Sequence, residues 1–384
     1  MLIRTDGNPS IGQGHLSRCL CLANSAAKQG IKTIFILSDE VSAKALAALQ
    51  GAGSGEIPII FDGNRDLSIP SNSDLPVQIV VLRQDYQQMN RELLGLHSRA
   101  DIQKVWHLPE LPVQTVLLID SYLAEKEALC AVSQVLKTGY IDDLQLFPGD
   151  SGRALDKECS IQKVTESGGF QVINMDEDLS LAMVDDRFSK HDYVVRKKGK
   201  KILLSTGSTD PYGIRKTFWE AFQEVVSDKG NSEQTGLEAA LPMDVKYELA
   251  ILQGVQKAEV PDYMASFDLG IFAAGVSLYE AAALGLPCLS FSFVENQVAG
   301  AKKLQEAGIA YKGSFPGSSD LKNDLTSRSA RQFAKDILKE AFRLLVDYEE
   351  RKRICEKEKT VINGRGAERI VKRLFSGNSF CTFL

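Results

Sequence analysis

No stretch of the sequence reaches the roughly 20 consecutive apolar residues that a membrane-crossing helix needs, so no membrane insertion is expected. The N-terminus lacks a basic segment followed by an apolar run and a small-residue cleavage site. Met1-Leu-Ile-Arg-Thr-Asp6 reads directly as a β-strand, so no signal peptide and a cytoplasmic location are expected. A basic excess is missing too: 45 Lys and Arg face 50 Asp and Glu, for a net charge of -5. That balance argues against a nucleic-acid partner, which would want a basic surface to displace counterions. Small anionic ligands remain open, because a few local donors can hold them. The seven cysteines form no CxxC pair, and their odd number and scatter read as reduced thiols. Histidine is scarce, and His97, His107 and His191 lack the HxxxH spacing or neighbouring cysteines of a metal site.

What is present is an ordinary globular composition, 44% hydrophobic and 25% charged, over 384 residues. That length suits two domains. Short apolar strands alternate with longer helical stretches, which is the signature of stacked βαβ units and parallel sheets. In the first half the pattern predicts strands over 2–5, 33–37, 57–60, 78–82, 116–119 and 138–141, and helices over 15–29, 42–50, 88–96 and 125–135. The polar segment 189–200 has no apolar period and reads as a linker. A second series follows, with strands over 201–205, 245–250, 269–273 and 288–293 and helices over 214–226, 277–284 and 298–307. Residues 329–375 read as largely helical, and the mixed charges of 351–359 fit a solvated helix face. The expected architecture is α/β, with two Rossmann-like doubly wound domains, 1–190 and 201–360, facing a cleft that would take the ligand. A C-terminal helix and tail, 361–384, is expected to pack back on the first domain.

Two sets of residues carry chemistry. The first joins the first strand to the first helix: Gly12 and Gly14 allow a tight turn and close ligand approach, with His15 in the helix's first turn. The positive end of the helix dipole disfavours an imidazolium there, and a neutral imidazole is what a general base must be. Arg18, one turn later, never loses its proton, so its role is charge or packing. A glycine turn with a surface histidine is the plainer alternative. The second set lies in the C-terminal half. Thr206-Gly-Ser-Thr-Asp-Pro211 follows a strand; Gly207, Ser208 and Thr209 would form an anion nest, with Asp210 or Thr209 capping a helix that begins at Pro211. In Ala273-Ala-Gly-Val-Ser-Leu-Tyr-Glu280, Gly275 makes the turn and Ser277 caps the next helix. Glu280 would complete a capping box or accept from ribose hydroxyls. A further strand delivers Glu295, Asn296 and Gln297 to the same edge. Asp142 and Asp143, just after a strand, suit either substrate polar groups or a capped turn. Asp176-Glu-Asp178 has the DxD form of a metal-bound diphosphate site, but it reads as an acidic loop.

Taken together, Arg4-x-Asp6, Gly12-x-Gly-His15-x-x-Arg18, Asp120-Ser-Tyr122, Ile141-Asp-Asp143, Gly207-x-Thr-Asp-Pro211, Ser277-Leu-Tyr-Glu280 and Glu295-Asn-Gln297 resemble, in order and spacing, the UDP-sugar hydrolase family of pseudaminic acid biosynthesis. That family has relatives in spore-coat polysaccharide synthesis and a GT-B fold like the lipid II glycosyltransferase. The resemblance runs from Arg4 to about Arg369. It implies hydrolysis of UDP-2,4-diacetamido-2,4,6-trideoxy-β-L-altropyranose to free sugar and UDP, without a cofactor. His15 would be the base, with Asp6, Gly12, Gly14, Arg18, Asp120, Tyr122 and Asp143 on the sugar. Gly207, Ser208, Thr209, Gly275, Ser277, Leu278, Glu280, Glu295, Asn296 and Gln297 would hold the nucleotide. Since a nucleoside diphosphate already leaves well, the paired carboxylates of glycosidases are not needed. The chain departs from the family in reading Ala274-Gly275 for two glycines, Val276 for a small polar residue, and Asp185-Asp-Arg-Phe188 for Arg-x-Glu-Phe. A GT-B glycosyltransferase and a nucleotide-sugar-binding protein without turnover are the alternatives.

Overall fold

Strands buried on both faces read as unbroken apolar runs, and several here do. The computed structural model describes residues 1–8, 11–50, 59–61, 77–144, 146–147, 169–175, 178–207, 210–227, 244–316 and 329–376. It divides into two compact units, Met1–Met183 with Gly366–Leu384, and Val184–Arg365. Among the described residues, no helix is long and apolar enough to cross a membrane.

The first unit holds a seven-stranded, all-parallel sheet in the order β3-β4-β2-β1-β5-β6-β7. Its strands are β1 (Leu2–Thr5), β2 (Thr33–Leu37), β3 (Ile59–Phe61), β4 (Val77–Val81), β5 (Val116–Asp120), β6 (Lys137–Ile141) and β7 (Gly169–Ile173). Each β1 residue is buried, and so is each residue of Val-Leu-Leu-Ile-Asp in β5. On one face α1 (Gly14–Ala27) and α2 (Glu40–Gln50) bury Leu16, Leu20 and Leu46. On the other, α3 (Met89–Leu94), α4 (Arg99–Val105) and α5 (Lys126–Ser133) bury Leu93, Ile102 and Leu129 together with Trp106.

The second unit has a five-stranded parallel sheet, β12-β11-β10-β8-β9. It is built from β8 (Lys201–Ser205), β9 (Glu248–Ile251), β10 (Leu269–Ala273), β11 (Cys288–Ser292) and β12 (Ala310–Ser314). Its helices are α6 (Asp186–Ser189), α7 (Ile214–Ser227), α8 (Val260–Ala265), α9 (Val276–Leu284), α10 (Asn296–Glu306), α11 (Ala330–Val346) and α12 (Tyr348–Val361). Phe218 and Phe222 of α7 and Phe342 of α11 pack with Phe291 into its core. The segment 189–200, which has no apolar period, is fastened to this unit by buried polar groups. Asp268 accepts from the Lys200 and Lys201 amides and from Arg196, and Arg351 donates to the carbonyls of Arg196 and Lys197.

Both units are doubly wound α/β folds. In such sheets ligands collect beyond the carboxyl ends of the strands where the winding reverses. In the first sheet that point is β1 beside β5, and in the second it is β8 beside β10. Strand boundaries agree with the hydrophobic pattern within a few residues, but β7, β12, α4 and α8 carry too few regularly spaced apolar residues to read. Residues 57–58 of the third expected strand lie outside the described residues. The thiols are not all reduced: Cys19, Cys21, Cys288 and Cys355 are free, whereas Cys130 is disulfide-bonded.

The last helix, α13 (Gly366–Phe375), returns to the first unit and buries Ile370, Val371 and Leu374 in the α1 face of the core. Gly139 on β6 makes room for it, since a Cβ there would stand 2.5 Å from Leu374 Cδ2. Leu374→Ala therefore empties a fully buried site and is expected to cost about 2–5 kcal/mol. A denaturant midpoint equal to that of the parent would show that α13 contributes nothing to this core.

Candidate active site

After β1 the backbone passes through Gly12, whose φ of 79° is the left-handed conformation glycine adopts without strain, and enters α1 at Gly14. Gln13, the N-cap, makes no side-chain cap, so the start of α1 keeps its partial positive charge. His15 and Arg18 both lie on the buried face of this helix. They meet Asp120, the last residue of β5, which is wholly buried. His15 Nδ1 stands 2.6 Å from Asp120 Oδ1. Arg18 donates Nε to Oδ2 at 2.7 Å and Nη2 to Oδ1 at 2.5 Å, a bidentate fork. Its Nη1 donates to Asp143 at 2.5 Å, and Cys19 Sγ donates to Asp120 Oδ2 at 3.3 Å.

Burial would raise the Asp120 carboxyl, but Arg18 and then His15 outweigh it and hold the acid well below its ordinary range. An ionised Asp120 accepts the Nδ1 proton and so fixes the tautomer, leaving Nε2 as the acceptor. Nε2 is buried and has no hydrogen-bond partner among the described residues. The ring packs edge-on against Tyr122, with centroids 4.3 Å apart. His15 is thus a buried imidazole held by a carboxylate, and not the surface histidine of the plainer alternative.

The other residues expected on the sugar divide. Tyr122 lies beside the base and Asp143 pairs with Arg18. Asp142 is spent on its turn, accepting from the amides of Leu146 and Phe147 at 2.8 Å each. Asp6 is also spent: its oxygens take Arg4 Nη1 at 2.8 Å, the Ser38 amide at 2.6 Å and the Ser38 hydroxyl at 2.8 Å. Arg4 reaches on to Glu92, which also accepts from Trp106 Nε1 at 2.6 Å. Arg4 and Asp6 therefore lock β1 to β2 and α3, and Asp6 offers no free oxygen to a ligand.

In the second unit, Gly207 follows β8 with φ 80°, and a Cβ on it would meet nothing within 4 Å. Ser208 and Thr209 lie outside the described residues. Asp210 caps α7 by accepting from the amides of Ile214 and Arg215 at 2.8 and 3.1 Å, so that helix begins at Ile214 and Pro211 precedes it. Arg215 was not foreseen. Its guanidinium fixes the turn through Thr206 Oγ1 at 2.9 Å and the Gly207 carbonyl at 2.7 Å.

At the β10 turn the N-cap of α9 is Gly275, in extended backbone with open space where a Cβ would be. Ser277 is the second helical residue and not the cap, so the capping box with Glu280 does not form: the chain turns two residues earlier than a serine cap requires. Leu278 is fully buried core. Gln297 Oε1 accepts from the Phe293 amide at 3.0 Å, Glu295 is exposed, and the side chain of Asn296 lies outside the described ones, as do residues 176–177 of the DxD loop.

The comparisons with known proteins agree with this architecture. No protein-family model matches the chain. The spore coat polysaccharide biosynthesis protein SpsG of Bacillus subtilis (strain 168) is 29% identical over 132 residues, 32% of this chain and 38% of SpsG. The match thus spans well under half of that relative's length. Among solved structures, UGT89C1 of Arabidopsis thaliana, complexed with quercetin, has a TM-score of 0.51 at 12% identity and covers 97% of this chain and 99% of its own. MurG of Acinetobacter baumannii gives 0.49 at 12% identity, with 97% and 98% covered. The fold is GT-B-like, two Rossmann-like parallel-sheet domains in one chain.

Glu280 supplies a pH-dependent test. Desolvation raises its carboxyl to about 7, with Lys257 opposing and Asp185 adding to the shift. Above the ordinary carboxylate range the unfolded chain gives up this proton while the folded chain keeps it, so Glu280 lowers stability as pH rises from about 4.5 to about 7. Glu280→Gln should remove that loss, gaining on the parent in denaturant midpoint between pH 5 and 7.5. A gap that does not change with pH contradicts the assignment.

Proposed function

We propose that the chain is a hydrolase that cleaves a UDP-linked diacetamido-trideoxy sugar to free sugar and UDP, in nonulosonic (pseudaminic-type) acid or surface polysaccharide biosynthesis. The observation that carries this reading is the buried Nε2 of His15, which has no hydrogen-bond partner among the described residues and is backed through Nδ1 by an ionised Asp120. The partial likeness to SpsG and the GT-B-like fold support nucleotide-sugar chemistry as the setting.

In this mechanism a water oxygen attacks the anomeric carbon as Nε2 takes one of its protons. The bond from that carbon to the UDP oxygen breaks, and its electron pair leaves with the β-phosphate. Asp120 stabilises the imidazolium that forms, without itself taking the proton. Two features of the second unit suit the nucleotide. The start of α9, uncapped by any side chain and bare of Cβ at Gly275, offers backbone N–H groups to a diphosphate. Glu280, in the same helix, offers a carboxyl to ribose hydroxyls. One base worth about 10²–10⁴ in rate, with stabilisation of the departing phosphate, meets the needs of so good a leaving group.

The test is UDP release from a panel of UDP-amino sugars, with a chelator and without an acceptor. Release of UDP and free sugar is expected, falling about 10²–10⁴-fold in His15→Ala. UDP that binds but appears only when an acceptor hydroxyl is added would make the chain a glycosyltransferase. Binding with no turnover under either condition would make it a nucleotide-sugar-binding protein.

A further inference from the structure

Arg18 stands beside the base like a cation waiting for substrate, yet its polarity is turned inward. The residue is only 6% exposed. Nε and Nη2 fork onto Asp120 at 2.7 and 2.5 Å, Nη1 is 2.5 Å from Asp143, and Nη2 is 3.1 Å from His15 Nδ1. Each of its three nitrogens already has a protein partner.

The consequence falls on His15. A buried carboxylate beside an imidazole favours the doubly protonated, charged ring, and such a ring has no lone pair left to accept a proton. Arg18 opposes this twice: it occupies the Asp120 oxygens, and it sets positive charge against the ring nitrogen itself. The start of α1 adds partial positive charge in the same sense. The remaining neighbours do not reverse the balance. Cys19 donates to Asp120, and burial keeps its thiol protonated. Tyr140 is likewise held neutral by burial. Tyr122 meets His15 by its ring, Asp142 is engaged with two amides, and Arg4 pairs with both Asp6 and Glu92. Asp143 is the one carboxylate that draws on Arg18 from behind.

We propose that Arg18 is a positioning residue that keeps His15 protonated at Nδ1 alone, so that Nε2 stays an acceptor, and that Asp143 sets how strongly it does so. This rests on the reading of His15 as the base, but the two can be tested apart.

The experiment follows the histidine ring resonances of carbon-labelled full-length protein against pH. His15 is identified among the four histidines by its absence in His15→Ala. Arg18→Met removes the opposing cation, and the His15 titration should move up by about one pH unit or more. Asp143→Asn frees the guanidinium from its second anion, and the titration should move down. A loose or distorted site would not move the two variants in opposite directions. Titrations that stay put, or that move the same way, overturn the proposal, and if Arg18→Met does not fold, the direction in Asp143→Asn decides. The acid limb of UDP release should follow the same shifts. If no UDP is released from any donor, the hydrolase reading fails while the ring titrations still decide the role of Arg18.

Discussion

A carboxylate sealed away from water at the end of a strand has to be answered by charge and hydrogen bonds, and Asp120 is such a group. Leaving a buried charge without its partner costs about 3–5 kcal/mol, a large fraction of a domain's stability. The partners come from α1, so the demand of one anion on β5 fixes the turn and helix that follow β1. Because β1 and β5 are neighbours at the reversal of the sheet, the pairing lies where a doubly wound fold collects ligands. The geometry that stabilises Asp120 is the same geometry that aims His15. A histidine merely tolerated in the core would not hold one nitrogen to an ionised acid while the other has no hydrogen-bond partner among the described residues.

A second buried network on the other flank of β1 limits what can be asked of that strand. Arg4 answers both Asp6 and Glu92, with Ser38 between them. Of two acids expected at one end of the sheet, Asp6 is consumed by the scaffold and Asp120 is coupled to His15 and Arg18. Sequence order ranks them alike. The difference lies in which helix each strand end faces.

Much of the fold was legible because parallel strands buried on both faces must be continuous runs of apolar residues. Ile34–Leu37, Val116–Ile119 and Leu269–Ala273 satisfy this. The missed elements break the rule for physical reasons. β7 (Gly-Phe-Gln-Val-Ile) and β12 (Ala-Tyr-Lys-Gly-Ser) are edge strands, where polar residues and glycine carry little penalty. α4 has too few apolar residues to show a period. In the site, the residue types were legible and their partners were not. His15, Arg18, Asp120 and Asp143 come from three separate segments, and only the order β1-β5-β6 brings those segments together. The capping box failed for a subtler reason: Ser277 and Glu280 have the right spacing, but the helix starts two residues earlier, from a glycine in extended backbone.

The two units solve opposite electrostatic problems at equivalent points of their sheets. In the first, the strong charges named at the turn are bound inward, Arg18 to Asp120 and Asp143 and Arg4 to Asp6 and Glu92, and His15 Nε2 is buried without a hydrogen-bond partner among the described residues. In the second, the turns are built of glycine with open space beside Gly207 and Gly275, and α9 begins without a side-chain cap. The groups it leaves over are donors. An acceptor suits the withdrawal of a proton, and a helix start without a side-chain cap suits an anion. One doubly wound fold, used twice with different residues in its first turn, is enough to supply the pair.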